Sequence, residues 1–568
     1  MKKYIVLFFI AFFLRCNVDS TTTNPSNTDD LALSNKGGLE IAEFAESSET
    51  DKIEVTIDES GLTKKEIYIA MPYLLVTEDK ASMPVNQFTI NAIATVDGAP
   101  LGGTTEKTTT TDGTTQTSTF KNTIALERNV NHSIDTKIAN IEKLLTKKSK
   151  KSHISSKLAI AKNEKRTFKF SRDGDTIEAT ITAYAKNVGD KAIFFVDETS
   201  IDIDDITQDT AFTEMLDALE DIALPRMDLF YGTCMDENAM FIPDGDMIDN
   251  KTNIVFTSIL NDSNQLGFFN AGDLLEYDAV LNPTSNEQKI LYMPIPSSSV
   301  SKDKILASLV HNYQHLLNFC YKVVRPFISS NDQNVTREAT WLDEAMSQLA
   351  EDIVGYGNYN YILVSKFLSS PSAVTLFSSL DSEKQRTFGY LFLRYLIERE
   401  GQLTYSDETA NTISGDPIEL LNALIASRLH GLENIETNQD QKIDFLFPRF
   451  LATLALDSTN LNENYRFDDT QEDKLTGHIR GIRLAQNERT IDGAATPING
   501  LTSIDFPTAS EITLKPSATN FYKLTPDANQ FEIKLTADQF FHDTVPITLG
   551  LVIVRVEDTA EETTESGL

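Results

Sequence analysis

Apolar and polar residues alternate with a period of two along Ile53-Glu54-Val55-Thr56-Ile57, through Glu66-Ile67-Tyr68-Ile69 and along Phe88-Thr89-Ile90-Asn91-Ala92-Ile93. This is the spacing of strands with one buried face. The alternation returns at Thr167-Phe168-Lys169-Phe170 and runs through Ile177–Ala185 to Ala192-Ile193-Phe194-Phe195-Val196. Between these runs, 102–119 is dominated by Thr and 144–151 carries a lysine cluster that reads as a solvated segment. Residues 51–200 are therefore expected to form one β domain with a polar insertion at about 102–165.

From 201 to 491 the apolar period lengthens to that of helices. Phe212, Met215, Leu216, Leu219, Ile222 and Ala223 share one stripe, which Pro225 is expected to end. Asp244, Asp246 and Asp249 lie in an acidic stretch read as a tight polar turn, because the bidentate Glu and central Gly of a calcium loop are missing. A strand at Ile290–Met293 is closed by Pro294 and Pro296. A helix over Lys302–Phe319 carries Ile305, Leu309, Leu316 and Cys320 on its apolar stripe, a second covers Trp341–Asp352, and a third, Phe388–Glu400, stops at Gly401. Helical patterns continue at 420–425 and 445–456. Short strands return over 492–556 as a C-terminal β-sandwich-like domain, followed by an acidic tail at 557–568.

The chain opens with Lys2, Lys3 and the apolar run Tyr4–Leu14, too short for a comfortable permanent span and typical of an export signal. Cys16 follows directly. It resembles the lipid-modified Cys of bacterial lipoproteins, although Phe13-Leu14-Arg15 departs from the small residues usual there; an ordinary signal peptide is the other reading. Residues 1–16 are thus a signal ending at a lipidated Cys16, and 17–50, rich in Ser, Thr, Asn and Asp, are a disordered tether. The expected location is the bacterial cell envelope or surface, with the membrane reached through the lipid on Cys16.

Composition narrows the function. With 84 acidic against 50 basic residues and a formal charge of -34, the chain has no general surface for nucleic acid or anionic membrane. Beyond Cys16 only Cys234 and Cys320 remain, which allows one bridge at most; two buried free thiols are expected.

The chemistry concentrates at Leu309-Val310-His311-Asn312-Tyr313-Gln314-His315. On a helix, His311 and His315 share a face within reach of one metal ion. Glu344, on the following helix, completes a His, His, Glu set of the kind that holds catalytic zinc and leaves a fourth position to water. In the usual helical motif the residue after the first His is a Glu general base; here it is Asn312, whose amide cannot take up the proton.

Order and spacing of Gly245-Asp246-Met247-Ile248, Asn253-Ile254-Val255-Phe256, Gly267-Phe268-Phe269, the Tyr292 strand, His311–Phe319, Trp341–Asp352 and Tyr390-Leu391-Phe392-Leu393-Arg394-Tyr395-Leu396 resemble the hyicolysin-type zinc metallopeptidases of the thermolysin-like gluzincin group. The resemblance covers roughly 197–401. It implies a multidomain α+β protein with a gluzincin-like domain flanked by N-terminal and C-terminal all-β domains, zinc held by His311, His315 and Glu344, and Gln348 orienting a ligand His through its carbonyl. Tyr390 stands where related peptidases can place an oxyanion donor, although a packed helix tyrosine is the favoured reading. Asn312 stands at the family's general-base position. The leading expectation is a hydrolytically impaired protein that binds a protein or peptide ligand. The alternatives are an active endopeptidase using Glu338 or Asp343 as base, and a surface adhesin carried by the β domains.

Overall fold

The computed structural model describes most of residues 160–525 and, on either side, strands at 39–43, 52–58, 67–76, 88–96, 99–100, 530–537 and 547–556. The export signal and Cys16, most of the tether and of the insertion, the Asp244–Asp249 turn and the acidic tail lie outside the described residues. Within the expected tether, 39–43 forms a strand paired with 550–554, so that stretch is corrected from disordered to sheet; its polar neighbours hid a short segment whose partner lies at the far end of the chain.

In chain order the first strands are β1 (Leu39–Glu43), β2 (Lys52–Asp58), β3 (Ile67–Val76) and β4 (Phe88–Val96). The last are β11 (Ile504–Asp505), β12 (Ser510–Leu514), β13 (Tyr522–Leu524), β14 (Gln530–Ala537) and β15 (Ile547–Val556). These do not form two separate domains. One sheet runs β1-β15-β3-β13-β11 and the other β12-β4-β14-β2, so both ends of the chain interleave in each. The longest ladder pairs Ile67–Val76 with Ile547–Val556 antiparallel. The expectation of separate N-terminal and C-terminal β domains is corrected here for a physical reason. Alternation tells which face of a strand is buried but not which strand lies beside it.

Tyr68, Ala70 and Leu74 of β3 face the interior between these two sheets, with Ile53, Ile90, Ile533 and Phe531. Ile69, Met71, Tyr73 and Leu75 face the helices, where the Tyr73 ring meets Phe447 edge-on at 5.6 Å between centroids. Both faces of β3 are therefore buried, which is why it reads as a nearly unbroken apolar run. Each such aliphatic side chain contributes about 1.5–3 kcal/mol by leaving water.

The strands expected to complete the N-terminal domain, β5 (Lys165–Phe170), β6 (Ala179–Val188) and β7 (Ala192–Asp197), belong elsewhere. They join β8 (Thr252–Thr257), β9 (Phe268–Phe269) and β10 (Ile290–Pro294) in a mixed six-stranded sheet ordered β9-β10-β8-β7-β6-β5. β7 and β8 are parallel, as are β8 and β10. Their connection passes through α1 (Ile206–Ala218) and α2 (Leu224–Tyr231). Pro225 does not end that helical run: a π turn at Leu219–Ala223 precedes it and puts Pro225 in the first turn of α2, where the missing N–H costs little.

Beyond the sheet lie α3 (Lys302–Phe319), α4 (Thr340–Val354), α5 (Asn360–Leu368), α6 (Glu383–Glu400), α7 (Pro417–Ala426), α8 (Gly431–Gln439) and α9 (Ile443–Asp457). Side chains from one face of the sheet, including Phe194, Ile254, Phe256, Leu291 and Met293, pack with those of α3 and α4 in the largest core. The whole is mixed α+β.

Two cross-links hold the end of α3. Cys234 and Cys320 form a disulfide, against the expectation of free thiols. Only the tertiary fold could decide this, since the two lie 86 positions apart. Just beyond, Lys322 and Glu338 form a fully buried ion pair at 2.9 Å. Lys322 also donates to the carbonyls of Leu424, Ser427 and Leu429, and Glu338 accepts from the N–H groups of Ala339 and Gly431 and from Asn434. Such a pair specifies a position through satisfied hydrogen bonds more than it adds net stability.

Candidate metal centre

α3 begins at a Ser301 cap whose hydroxyl accepts from the Lys304 N–H, and it buries nearly every side chain from Ile305 to Phe319. One helical turn apart, His311 and His315 present their rings edge to face, with centroids 4.8 Å apart. α4 lies against α3, tied by Asn318 Nδ2 donating to Asp343 Oδ1 at 2.7 Å. This brings the fully buried Glu344 carboxylate opposite both rings: His311 Nε2 is 3.5 Å from Oε2 and His315 Nε2 is 3.7 Å from Oε1. One ligand atom from each of the three residues lies within 4.8 Å of the others.

The other ring nitrogens are also engaged. His311 Nδ1 is 2.8 Å from Glu351 Oε1, and His315 Nδ1 is 3.1 Å from both Asp343 Oδ2 and Ser347 Oγ. A carboxylate only accepts, so each Nδ1 carries the hydrogen and, in the neutral imidazole, each Nε2 is the acceptor atom on the side of Glu344. This is how carboxylates fix the tautomer of metal-binding histidines.

Gln348, expected in the orienting role, does not take it. Neither polar atom of its buried side chain has a hydrogen-bond partner. Glu351, one turn further along α4, does the work expected of it. The signal was present in the sequence, because positions seven apart share a helix face. Tyr390 is likewise occupied: it is fully buried and its hydroxyl donates to Asp352 Oδ2 at 2.9 Å, while Arg394 Nη1 holds the same oxygen at 3.0 Å. The contact agrees with the packed helix tyrosine favoured from the sequence and not with an oxyanion donor.

A residue with no sequence signal enters from α6. Gly389 packs so tightly on α4 that an added Cβ would lie 2.8 Å from that of Ala345. That close approach carries Arg386, one turn earlier, onto the site, where its Nη1 is 3.4 Å from Glu344 Oε2 and 3.5 Å from His311 Nε2.

The electrostatics follow from these contacts. Burial alone would push the Glu344 carboxyl up, but His315, His311 and Arg386 outweigh it and hold Glu344 well below the usual carboxylate range. Burial likewise works against a charged His315, yet Asp343 and Glu344 together keep its pKa above the ordinary value.

The donor set fits a divalent ion. His315 Nε2 and Glu344 Oε1 are buried without hydrogen-bond partners, and their 3.7 Å separation is too long for a bond between them. Ligands about 2.0–2.1 Å from zinc at tetrahedral angles lie roughly 3.4 Å from one another, close to these separations.

Asn312 shares the wall of a cleft with His315 and Glu344. Phe268, Phe269, Phe319 and Val323 supply its apolar lining, and the cleft, partly open to solvent, spans about 530 Å³ of empty space. The Asn312 amide donates to the Ser308 carbonyl at 2.8 Å and the Ser308 hydroxyl at 3.2 Å, leaving its own oxygen buried without a partner.

Over 109 residues the chain is 29% identical to the neutral metalloprotease ShpI of Staphylococcus hyicus, a match covering 18% of this chain and 24% of that protein. The chain thus matches about a quarter of the relative's length. No protein-family model matches. Together with the His, His, Glu cluster, this supports a metallopeptidase relationship.

Proposed function

We propose that the protein is an exported lipoprotein whose metallopeptidase-like cleft holds zinc through His311, His315 and Glu344 and binds peptide segments with little or no hydrolysis. The observation that carries the reading is the convergence of the two Nε2 atoms and the buried Glu344 carboxylate, each imidazole held from behind by a carboxylate. A zinc ion there would polarise a carbonyl and acidify water. The chain's own residues bind and orient. β9 lies at the end of the six-stranded sheet beside the cleft, so an extended peptide can add along Phe268–Phe269 and set an apolar side chain against Phe319 and Val323.

Hydrolysis also needs a group that takes and returns a proton, and Asn312 cannot do so. The reading in which another carboxylate serves as base loses support from the geometry. Glu338 spends both oxygens on Lys322, Asn434, Ala339 and Gly431, and Asp343 faces Nδ1 of His315, away from the Nε2 that meets Glu344. The Cys234–Cys320 disulfide supports an oxidising compartment and so export. No helix among the described residues is long and apolar enough to cross a membrane.

Calorimetric titration of metal-stripped protein with zinc should show one site, abolished in His315→Ala, together with no chelator-sensitive casein hydrolysis. Robust hydrolysis insensitive to Asn312→Ala would refute the impaired site. Cys16→Ser should move the protein out of the membrane fraction, and a mature chain that begins downstream of Cys16 without lipid would end the lipoprotein reading.

A further inference from the structure

We propose that Arg386 is the resident cation of the His311, His315, Glu344 cluster, and that a divalent metal must displace it to bind. The inference rests on the metal reading above and concerns what regulates that same site. Arg386 touches the atoms a metal would need: Glu344 Oε2 at 3.4 Å and His311 Nε2 at 3.5 Å. A guanidinium only donates, so the bond to His311 Nε2 uses the lone pair left bare when Nδ1 gives its hydrogen to Glu351 at 2.8 Å. Both contacts compete directly with coordination through the same lone pairs.

The occupation is partial. Arg386 meets His311 and one oxygen of Glu344, while His315 Nε2 and the other oxygen, Oε1, stay without hydrogen-bond partners. A divalent ion would engage both halves of the set and carry twice the charge. A guanidinium and a metal both in contact with Glu344 Oε2 would repel one another across a few ångströms of buried space. Metal entry therefore requires the Arg386 side chain to swing aside, and Arg386 sets a threshold below which the cluster stays paired and metal-free. The backbone need not follow, because Gly389 fixes α6 against Ala345 of α4.

The test uses full-length protein stripped of metal. Zinc titration of wild type, Arg386→Gln and Arg386→Lys should show Gln binding at least about tenfold tighter than wild type, through removal of one adjacent positive charge. Arg386→Lys retains the charge and should stay near wild type, which separates charge from packing. In parallel, thermal melts without metal should show Arg386→Gln melting lower than wild type, with part of that loss recovered when Glu344→Gln is added, because the carboxylate then no longer needs a cation. Equal zinc affinity in wild type and Arg386→Gln would overturn this inference alone. Absence of zinc binding in both would overturn the metal reading and the competition together. A lower melting point for Arg386→Gln that Glu344→Gln does not relieve would reduce Arg386 to a packing residue and overturn the resident-cation role.

Discussion

Replacing Glu351 by Gln removes one negative charge and leaves the side chain's length and an amide oxygen that still accepts from His311 Nδ1. In the native site Glu351 Oε1 lies 2.8 Å from that nitrogen, so the bond is charge-assisted and raises the electron density that Nε2 offers a metal. Removing such a partner typically weakens metal affinity about 10- to 100-fold, roughly 1.4–2.7 kcal/mol. The Glu351 side chain is 14% exposed, so solvent screens part of the charge, and the Gln amide preserves ring orientation. Both place Glu351→Gln at the lower end, about tenfold weaker. Glu351→Ala loses orientation as well and belongs near the upper end. The assay is competition with a chromophoric chelator at fixed pH, with circular dichroism to confirm that each variant is folded. Gln348→Ala is the control: its side chain has no hydrogen-bond partner, so zinc affinity should not change. Zinc affinity unchanged in Glu351→Gln, or lost equally in Gln348→Ala, would refute the assignment of Glu351 as the residue that orients His311.

Asn312→Glu should raise casein hydrolysis above an essentially inactive wild type. The Ser308 carbonyl, 2.8 Å from the present amide nitrogen, would repel a carboxylate and turn it toward the cleft; no gain despite intact zinc binding would show that the cleft lacks more than a base. Lys322→Met should destabilise by about 3–5 kcal/mol in denaturant melts, because Glu338 is left buried without its cation. Cys320→Ser opens a loop of 86 positions and should cost about 4–5 kcal/mol on the chain-entropy account, read as a lower denaturant midpoint that reductant does not lower further. Burial would raise Asp473, but Arg226 and Arg480 outweigh it and keep its pKa below the ordinary aspartate value. The ionised form therefore stabilises the fold above the ordinary aspartate pKa, and that stability is lost as pH falls through the depressed folded value. Asp473→Asn should accordingly flatten the acid limb of the stability curve.

The sequence by itself determined the local elements and the first set of site residues. Apolar spacing located the helix at Lys302–Phe319, Trp341–Asp352 lies inside the observed Thr340–Val354, and the helix through Phe388 ends at Glu400 before Gly401, which adopts a φ of 144°. A period of 3.6 and a glycine stop are properties of a few neighbouring residues, and so was the placing of His311 and His315 on one face.

What the tertiary structure decided were partners. That β3 pairs with β15 across nearly the whole chain, that Cys234 meets Cys320, and that Tyr390 serves Asp352 depend on how distant segments pack. Glu351 was legible two turns along Glu344's own helix, whereas Arg386 was not. It reaches Glu344 because α6 can approach α4 closely at Gly389, a contact that periodicity along the chain does not encode. Local pattern specifies which face of an element is buried, and the competition among all buried faces for one another selects the residue that fills each remaining space.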